Sequence, residues 1–463
     1  MDLIHSLSDI CLCYLPDSNA YVRLKSQLES AEAFLSRPPI IACPKTVEQV
    51  ASLVDWANWE GYALTVKGGG HSRMCAHDQA IMVDLSGFRR AEWDGSFVVA
   101  GGGALMGDVL KACPTGMAVP IGAAQTPGMG LALQGGIGAL TRSCGLTIDH
   151  LAEVTIVAGS GELRIINEYS WGSASDLWWA LRGAGSQFGI ITEARFRTSK
   201  IPRTMRYQQL KLNLESLIAY GEYAPKLPRE VSLSGVIGRG TTDKEHSLLL
   251  QATYATDDAE VHETADTIID ELVAQPGSEV RWELDTDGIY LNAPLFDMPN
   301  DDGSYAIPWQ PGDQAHTRLR TYKKTLFVKS LDDAHAKQLI EFSQKAPTPY
   351  CRIDFQQTGG ALRDVAQEDS AFWNRDFEWS VTVCGGWLWG TDQEDACVEW
   401  VRDVRNSLHD TTAGQYSVEI FGEDGDFDKE LAASFGDHLP RLKQIKARWD
   451  PQQVFRHYLQ LES

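Results

Sequence analysis

The chain of 463 residues has few positive charges and no long apolar run, and both absences restrict its function. Its 41 Lys and Arg residues are outnumbered by 63 Asp and Glu residues, which gives a formal net charge of −22. A surface that acidic repels nucleic-acid phosphates and anionic lipid headgroups, so we expect neither nucleic acid nor membrane as a partner. No apolar stretch approaches the ~20 residues that span a bilayer. Residues 1–19 lack the basic start of a signal peptide, and we expect a cytoplasmic protein.

Paired cysteines are also lacking. The nine cysteines are odd in number and scattered, with no C-x-x-C pair. This pattern argues against a disulfide framework and against a cysteine zinc site. No spacing of His, Cys, Asp or Glu predicts a metal site of another kind, so we expect no metal.

Several common catalytic motifs are missing as well. A G-x-G-x-x-G dinucleotide fingerprint fails because Gly128 and Gly130 are followed by Leu133, where the third glycine would stand. There is no Gly-Lys dipeptide for a P-loop, no G-x-S-x-G elbow and no second histidine for a zinc protease. The commonest nicotinamide, ATP-binding, serine hydrolase and zinc protease classes are therefore excluded.

Hydrophobic periodicity predicts a mixed α and β protein. Residues 40–198 alternate predicted strands and helices, and further strands and helices follow the Ile201-Pro202 dipeptide. A stretch rich in Pro, Asp and Gly, 295–314, predicts an exposed loop. The predicted strands and helices lie at 40–42, 46–62 (helix), 63–67, 81–85, 97–100, 154–158, 173–185 (helix), 189–197, 231–236, 247–252, 257–274 (helix) and 332–345 (helix).

Three glycine-rich turns point to the chemistry. The first contains Gly68, Gly69 and Gly70, followed directly by His71; the others lie in 122–151 and 182–196. Glycine lets the backbone approach a ligand closely, and successive amides in such a turn bind anions such as a pyrophosphate. A lone GGGH is most often only a tight turn. Three such turns in one α+β unit predict a long ligand, with a dinucleotide as the natural candidate.

The sequence resembles the FAD-linked oxidases of the berberine bridge enzyme and 6-hydroxynicotine oxidase type, in the vanillyl-alcohol oxidase superfamily. The glycine-rich region, RIDFQQTGGA (352–361), AFWNRD (371–376) and SFGDHLPRLKQIKARWDPQQVF (434–455) follow the family's order. The resemblance implies an α+β fold with a two-subdomain, cresol-methylhydroxylase-type FAD-binding domain (1–200). It also implies an α+β substrate domain with a large antiparallel sheet (201–419) and a C-terminal segment that returns to the FAD domain (420–463).

The resemblance further implies FAD, covalently attached through His71. Relatives that attach FAD twice use a cysteine in the turn before the second glycine run. That turn reads Ala123-Ala124-Gln125-Thr126 here, so we expect attachment through His71 only. Ile156 is expected beside the adenine, with Val157 as the alternative. The predicted cofactor-binding residues are Lys67, Gly68, Gly69, Gly70, His71, Ser72, Thr126, Gly130, Gly135, Gly136, Gly138, Asp149, Ile156 and His438.

The catalytic base remains open among four residues. Hydride transfer to the flavin is easier if a base takes the substrate's O–H or N–H proton. Tyr416 matches the family's active-site tyrosine, although a tyrosine packed in a sheet explains it equally well. Asp354 and Gln356 alternate on one predicted strand and could both face the ring, and Glu419 is a further candidate. Thr382 stands where some relatives carry the carboxylate or amide.

The expected function is an FAD-dependent oxidoreductase. We expect an oxidase in specialised metabolism that acts on a small aromatic, heterocyclic or polyketide-derived metabolite, with O2 reoxidising the flavin to yield H2O2. Carbohydrate oxidation at an anomeric carbon is the runner-up, since the missing cysteine weakly disfavours it. A cyclase or isomerase that uses FAD as a pocket scaffold, and a silent flavin-binding protein, are further alternatives. The sequence does not indicate an oligomeric state.

Overall fold

The computed structural model describes residues 3–185, 187–239, 246–287, 319–420, 427–459 and 461. In these ranges helices and strands mix, and a large antiparallel sheet is present, which confirms the predicted α+β class. The predicted loop at 295–314 lies outside the described residues. None of the described helices has the length and apolar character needed to cross a membrane.

The strands of the described ranges are β1 (Leu12–Tyr14), β2 (Ile41–Cys43), β3 (Ala63–Lys67), β4 (Ala80–Asp84), β5 (Ala91–Trp93), β6 (Val98–Gly101), β7 (Met117–Ala118), β8 (Leu151–Ala158), β9 (Leu163–Asn167), β10 (Gly189–Phe196), β11 (Ser199–Lys200), β12 (Thr204–Leu212), β13 (Val231–Gly238), β14 (Ser247–Tyr254), β15 (Glu279–Asp287), β16 (Leu319–Val328), β17 (Arg352–Gln357), β18 (Trp379–Leu388) and β19 (Thr412–Gln415).

The helices are α1 (Leu3–Ser8), α2 (Asn19–Lys25), α3 (Ala31–Leu35), α4 (Val47–Glu60), α5 (Met106–Ala112), α6 (Met129–Gln134), α7 (Thr141–Cys144), α8 (Ser173–Leu181), α9 (Ser216–Tyr223), α10 (Ala259–Val273), α11 (Asp333–Gln344), α12 (Glu394–Ser407), α13 (Phe427–Phe435) and α14 (Leu439–Trp449).

The first sheet has four strands in the order β1-β2-β4-β3. Strands β2, β4 and β3 are parallel, and β1 adds an antiparallel edge. Helix α4 makes the crossover between β2 and β3. It begins after Thr46, whose side chain accepts a hydrogen bond from the Gln49 amide, and it ends at Gly61 with φ +74°. Val50, Leu53 and Val54 of α4 pack into the core of this sheet.

The second sheet is antiparallel, with five strands in the order β5-β6-β10-β8-β9. Helix α8 packs against it through a buried face that includes Leu177 and Leu181. Helices α13 and α14 contribute Leu431, Leu442 and Trp449 to the same core. The end of the chain thus lies with this sheet, although the proposed boundaries at 200 and 419 stay predictions.

The third sheet has eight antiparallel strands in the order β15-β12-β14-β13-β17-β18-β16-β19. Helices α9 to α12 cover one face, and their apolar residues share one core with it. Side chains alternate along a strand. Because Ile353 and Phe355 of β17 lie in that core, Arg352, Asp354 and Gln356 project from the opposite face. This opposite face looks toward the glycine-rich turns and forms one wall of the site.

Candidate functional site

A cavity of about 480 Å³ lies between the glycine-rich turns and the third sheet. One wall is made by residues 68–73 and 127–131, and a second by residues 29–32 at the start of α3. β16 and β17 contribute Lys323 and Arg352 from the opposite side. The structure therefore gathers two of the three predicted glycine-rich turns, far apart in sequence, around one enclosed space.

Two of these turns are in direct backbone contact. A Cβ atom on Gly69 would come within 2.5 Å of the Gly128 nitrogen and 2.6 Å of the Thr126 oxygen, so only glycine fits. Gly70 has φ +78°, a conformation that side chains rarely adopt. A Cβ on Gly130, in contrast, would meet no protein atom within 4 Å. Because Gly130 lines the cavity, that open space is a cradle for a ligand laid against the backbone.

His71 follows the first turn and lines the cavity. Its Nε2 lies 2.7 Å from Thr126 Oγ1. Burial, together with the positive charge of Lys323, lowers the pKa of His71 from 6.5 to about 4. The imidazole ring is nonetheless exposed to the cavity, so it is neutral at physiological pH and accessible to a ligand.

Lys67 and Ser72 flank this turn. The Lys67 ammonium is buried and lies 3.0 Å from the Asp84 carboxylate and 2.9 Å from Ser86 Oγ. It is bound to the protein through these contacts, which brace the end of β3. Ser72 lines the cavity, and its hydroxyl accepts a hydrogen bond from the Met74 amide.

The glycines of the second turn face different neighbours. The Gly136 amide donates a hydrogen bond to the Tyr416 hydroxyl at 3.0 Å. A Cβ on Gly135 would lie 2.8 Å from the Phe372 ring, and one on Gly138 would lie 2.1 Å from the Ile121 oxygen. This part of the turn is therefore fitted against the third sheet and its aromatic residues, and Gly130 is the member of the predicted set that borders the cavity.

Three predicted cofactor residues have protein partners instead. The Asp149 carboxylate pairs with Arg375 at 2.7 Å. Ile156 is buried in the core of the second sheet. His438 packs edge-on against Trp179 and Trp373. Their proposed contacts with a cofactor stay predictions, since all three sit where side-chain packing or pairing already explains them.

The candidate bases occupy three different environments. Glu419 lines the cavity, and burial raises the pKa of its carboxyl. Asp354 is paired with Arg352 at 3.2 Å, and burial raises its pKa too. Gln356 shares the Asp354 face of β17. Tyr416 is buried, its pKa is raised by burial, and its hydroxyl accepts the Gly136 hydrogen bond.

Sequence reasoning missed several cavity residues. Lys323 lines the cavity and forms no ion pair within 4 Å of another described residue. Ile191 of β10 borders the cavity where Ile156, its register partner on β8, had been expected. Arg352 could have been found, because it alternates with Asp354 on one strand. Lys323 and Ile191 carry no local signal, since only the packing of distant strands brings them to the site.

The residues present fit FAD. The turn at residues 68–71 offers backbone amides for a pyrophosphate, Gly130 leaves room for close approach, and His71 supplies a neutral nitrogen. The cavity is also large enough to take a flat ring system beside polar side chains of the third sheet. Within the described residues, no three His, Cys, Asp or Glu side chains are grouped so that they could hold a metal ion.

Comparison with known proteins gives the same picture. A family model described as "FAD binding domain" matches residues 38–167, and one described as "Berberine and berberine like" matches residues 423–460. An FAD-linked oxidoreductase of Dictyostelium discoideum is 26% identical over 91% of this chain and 88% of its own length. The (R)-6-hydroxynicotine oxidase of Paenarthrobacter nicotinovorans is 34% identical over 37% of this chain and 38% of its own.

Solved structures share the whole fold. The glucooligosaccharide oxidase of Acremonium strictum superposes with a TM-score of 0.81 and 21% identity, covering 100% of this chain and 99% of its own. That oxidase carries a 6-S-cysteinyl, 8α-N1-histidyl FAD. At this identity the likeness establishes the fold alone.

Proposed function

Because the chain is an FAD-linked oxidoreductase of the berberine bridge enzyme-like family, we propose that it is an oxidase of a small aromatic, heterocyclic or polyketide-derived metabolite in specialised metabolism. O2 is the proposed electron acceptor and H2O2 the product. The observation that carries this proposal is the cavity in which His71, Gly130 and Glu419 meet. We further propose a cytoplasmic location.

FAD, when bound, supplies the ring that accepts a hydride. The glycine turn at 68–70 would hold its pyrophosphate, and His71 would anchor its ring. We propose that His71 is the single point of attachment, because Ala124 and its neighbours offer no thiol. The nearby Cys113 and Cys144 are free, and their sulfur atoms contact Val109 O and Ser143 Oγ, respectively.

Glu419 is the base that the geometry favours among the four candidates. It borders the cavity, whereas Tyr416 is turned to the Gly136 amide and Asp354 is paired with Arg352. A raised pKa suits a general base, because a carboxylate of ordinary pKa binds a proton only weakly. Lys323 nearby stabilises the ionised form of Glu419. Glu419 would take the proton from a substrate hydroxyl or amine as the hydride leaves.

The decisive experiment compares the purified protein with a His71→Ala variant. Acid precipitation should leave yellow flavin in the wild-type pellet and release it from the variant. Anaerobic addition of a substrate should bleach the flavin band, and admission of O2 should restore it with release of H2O2. Colourless protein, or product formation without bleaching, would refute the oxidase; the second result would favour the cyclase or isomerase.

Carbohydrate oxidation remains a second candidate because of one feature of the third sheet. Its cavity-side face carries a row of amide and hydroxyl groups. Among the described residues, Gln209 Nε2, Gln251 Oε1 and Ser380 Oγ are buried without a hydrogen-bond partner. Such groups bind hydroxyl-rich ligands. Parallel screens of oligosaccharides and of aromatic alcohols by H2O2 release separate the two substrate classes.

A further inference from the structure

The hydrogen bond of His71 distinguishes its two ring nitrogens. Nε2 lies 2.7 Å from Thr126 Oγ1, and no other described side chain is bonded to the ring. A neutral imidazole carries one proton, on either nitrogen. Attack on carbon needs a nitrogen with a free electron pair. Since Nε2 is engaged by Thr126, Nδ1 is the nitrogen left to react.

We propose that Thr126 is a positioning residue for covalent attachment of FAD, accepting the Nε2–H hydrogen bond so that Nδ1 is the free base. This inference rests on the proposed attachment at His71. It assigns Thr126 a task separate from binding FAD: it selects the tautomer and holds the orientation of the reacting ring. A hydroxyl is required for that task, because a methyl group in its place accepts no hydrogen bond.

The backbone fixes the distance between the two side chains. His71 follows the turn at 68–70, and Thr126 precedes Pro127 and Gly128 in the facing turn. Gly69 and Gly128 touch so closely that a Cβ on either would come within 2.5 Å of the other's backbone nitrogen. The contact leaves the two turns little freedom to slide, so the 2.7 Å hydrogen bond is held before any ligand arrives.

The charge near His71 acts in the same direction. Lys323 lines the cavity and disfavours a second positive charge on the imidazole. The ring therefore stays neutral, and the hydrogen bond to Thr126 determines which nitrogen keeps its electron pair. Lys323 and Thr126 are far apart in sequence and meet only because β16 closes over the turn.

The attachment step balances without another reactant. A bond forms between Nδ1 and the 8α carbon of the flavin, and one C–H bond at that carbon and the Nε2–H bond break. The two electrons of the C–H bond remain on the flavin, which takes up two protons and is reduced. Dioxygen then reoxidises it and is itself reduced to H2O2. Afterwards Nε2 holds a free pair, and the Thr126 hydroxyl can donate to it.

The test follows attachment and not turnover. Apoprotein from riboflavin-limited cells is mixed with FAD, and the fraction of flavin that resists acid is measured over time. We expect Thr126→Val to attach FAD about tenfold more slowly, the effect of losing one hydrogen bond of about 1.4 kcal/mol. Thr126→Ser, which keeps the hydroxyl, should attach at nearly the wild-type rate. His71→Ala sets the zero of the assay.

Two further readouts keep the proposal falsifiable. Reversible FAD binding, measured by flavin fluorescence before attachment, should be unchanged in Thr126→Val. The flavin peptide of the wild type should be the Nδ1-linked isomer. Attachment by Thr126→Val at the wild-type rate, loss of reversible binding, or an Nε2-linked peptide would each overturn the role of Thr126. Wild-type protein that releases all its FAD in acid would instead refute attachment at His71 itself.

Discussion

At the scale of single residues, the ionisation of His71 has a measurable consequence. Its pKa is lowered from 6.5 to about 4, so before FAD is attached the imidazole is neutral above that pH. We expect the rate of covalent attachment to apoprotein to be nearly flat between about pH 5.5 and 8. A histidine of ordinary pKa would instead be only about 10% neutral at pH 5.5, and attachment would slow about tenfold. Acid-resistant flavin, followed over time, measures the rate.

Glu419 gives a second prediction at this scale. Glu419→Gln keeps the shape of the side chain and removes the base, so turnover should fall by about 100-fold or more while flavin content stays the same. In the wild type, activity should fall on acidification through a pKa above 4.5, because burial raises the pKa of Glu419 and only the ionised form accepts a proton. Steady-state rates across pH measure both effects.

Glu32→Gln is the matched control for this substitution. Glu32 borders the same cavity, but its carboxylate is paired with Arg320 at 3.1 Å. We expect Glu32→Gln to lower turnover much less than Glu419→Gln. Equal losses in the two variants would point to the electrostatics of the cavity and not to a base at position 419.

Part of the site could be predicted from the sequence at this scale. Gly68 to His71 could be found because glycine-rich turns and the following histidine form a local pattern. Glu419 was one of four open candidates, and the sequence could not rank it, because the choice depends on which side chain reaches the cavity. Lys323 and Ile191 could not be found, since they meet the turns only through the packing of strands far apart in the chain.

At the scale of elements, the link between Tyr416 and the second glycine turn is open to test. The Tyr416 hydroxyl accepts a hydrogen bond from the buried Gly136 amide. Tyr416→Phe leaves that amide without its partner, so the free energy of unfolding should fall by about 1–3 kcal/mol. Denaturant unfolding of the holoenzyme measures this change. A variant of unchanged stability but about 100-fold lower turnover would make Tyr416 the base instead.

The predicted elements agree with the structure where their periodicity was strong. The strand at 63–67 matches β3, and the helix at 46–62 contains α4, Val47–Glu60. The helix at 173–185 ends earlier than expected, at Leu181, because residues 182–185 form the glycine-rich turn. Very short strands such as β7 (Met117–Ala118) escape prediction, since two residues show no alternation.

At the scale of the whole molecule, Arg142 joins the glycine-rich region to the third sheet. Arg142 lies on α7, and its guanidinium is bonded to Glu378 at 2.6 Å and to the carbonyls of Leu227, Val231 and Thr358. Removing one partner of a buried ion pair leaves the other uncompensated. We expect Arg142→Met to lower the free energy of unfolding by about 3–5 kcal/mol, which thermal unfolding would show as an early transition.

Arg441→Met is the matched control for Arg142→Met. Arg441 pairs with Asp176 at 2.7 Å, and about half of each side chain is exposed. Such a surface pair contributes about 0–1 kcal/mol. A similar loss in the two variants would show that Arg142 does not hold the third sheet in place.

The mixed α and β class and the large antiparallel sheet could be predicted for the whole chain, because ordered motifs extended from residue 68 to residue 455. The docking of the third sheet could not. It depends on Arg142, whose carbonyl partners lie 85 to 216 positions away in the sequence. No pattern near α7 indicates these partners.

The contact between Gly69 and Gly128 has a practical consequence for protein engineering. A mutational library aimed at new substrates has to keep these two positions fixed, because neither backbone leaves space for even one methyl group. Positions on β16, β17 and β18 that face the cavity are different. Their side chains can be exchanged while the mutual fit of the two turns is kept, so substrate preference can be diversified separately from cofactor retention.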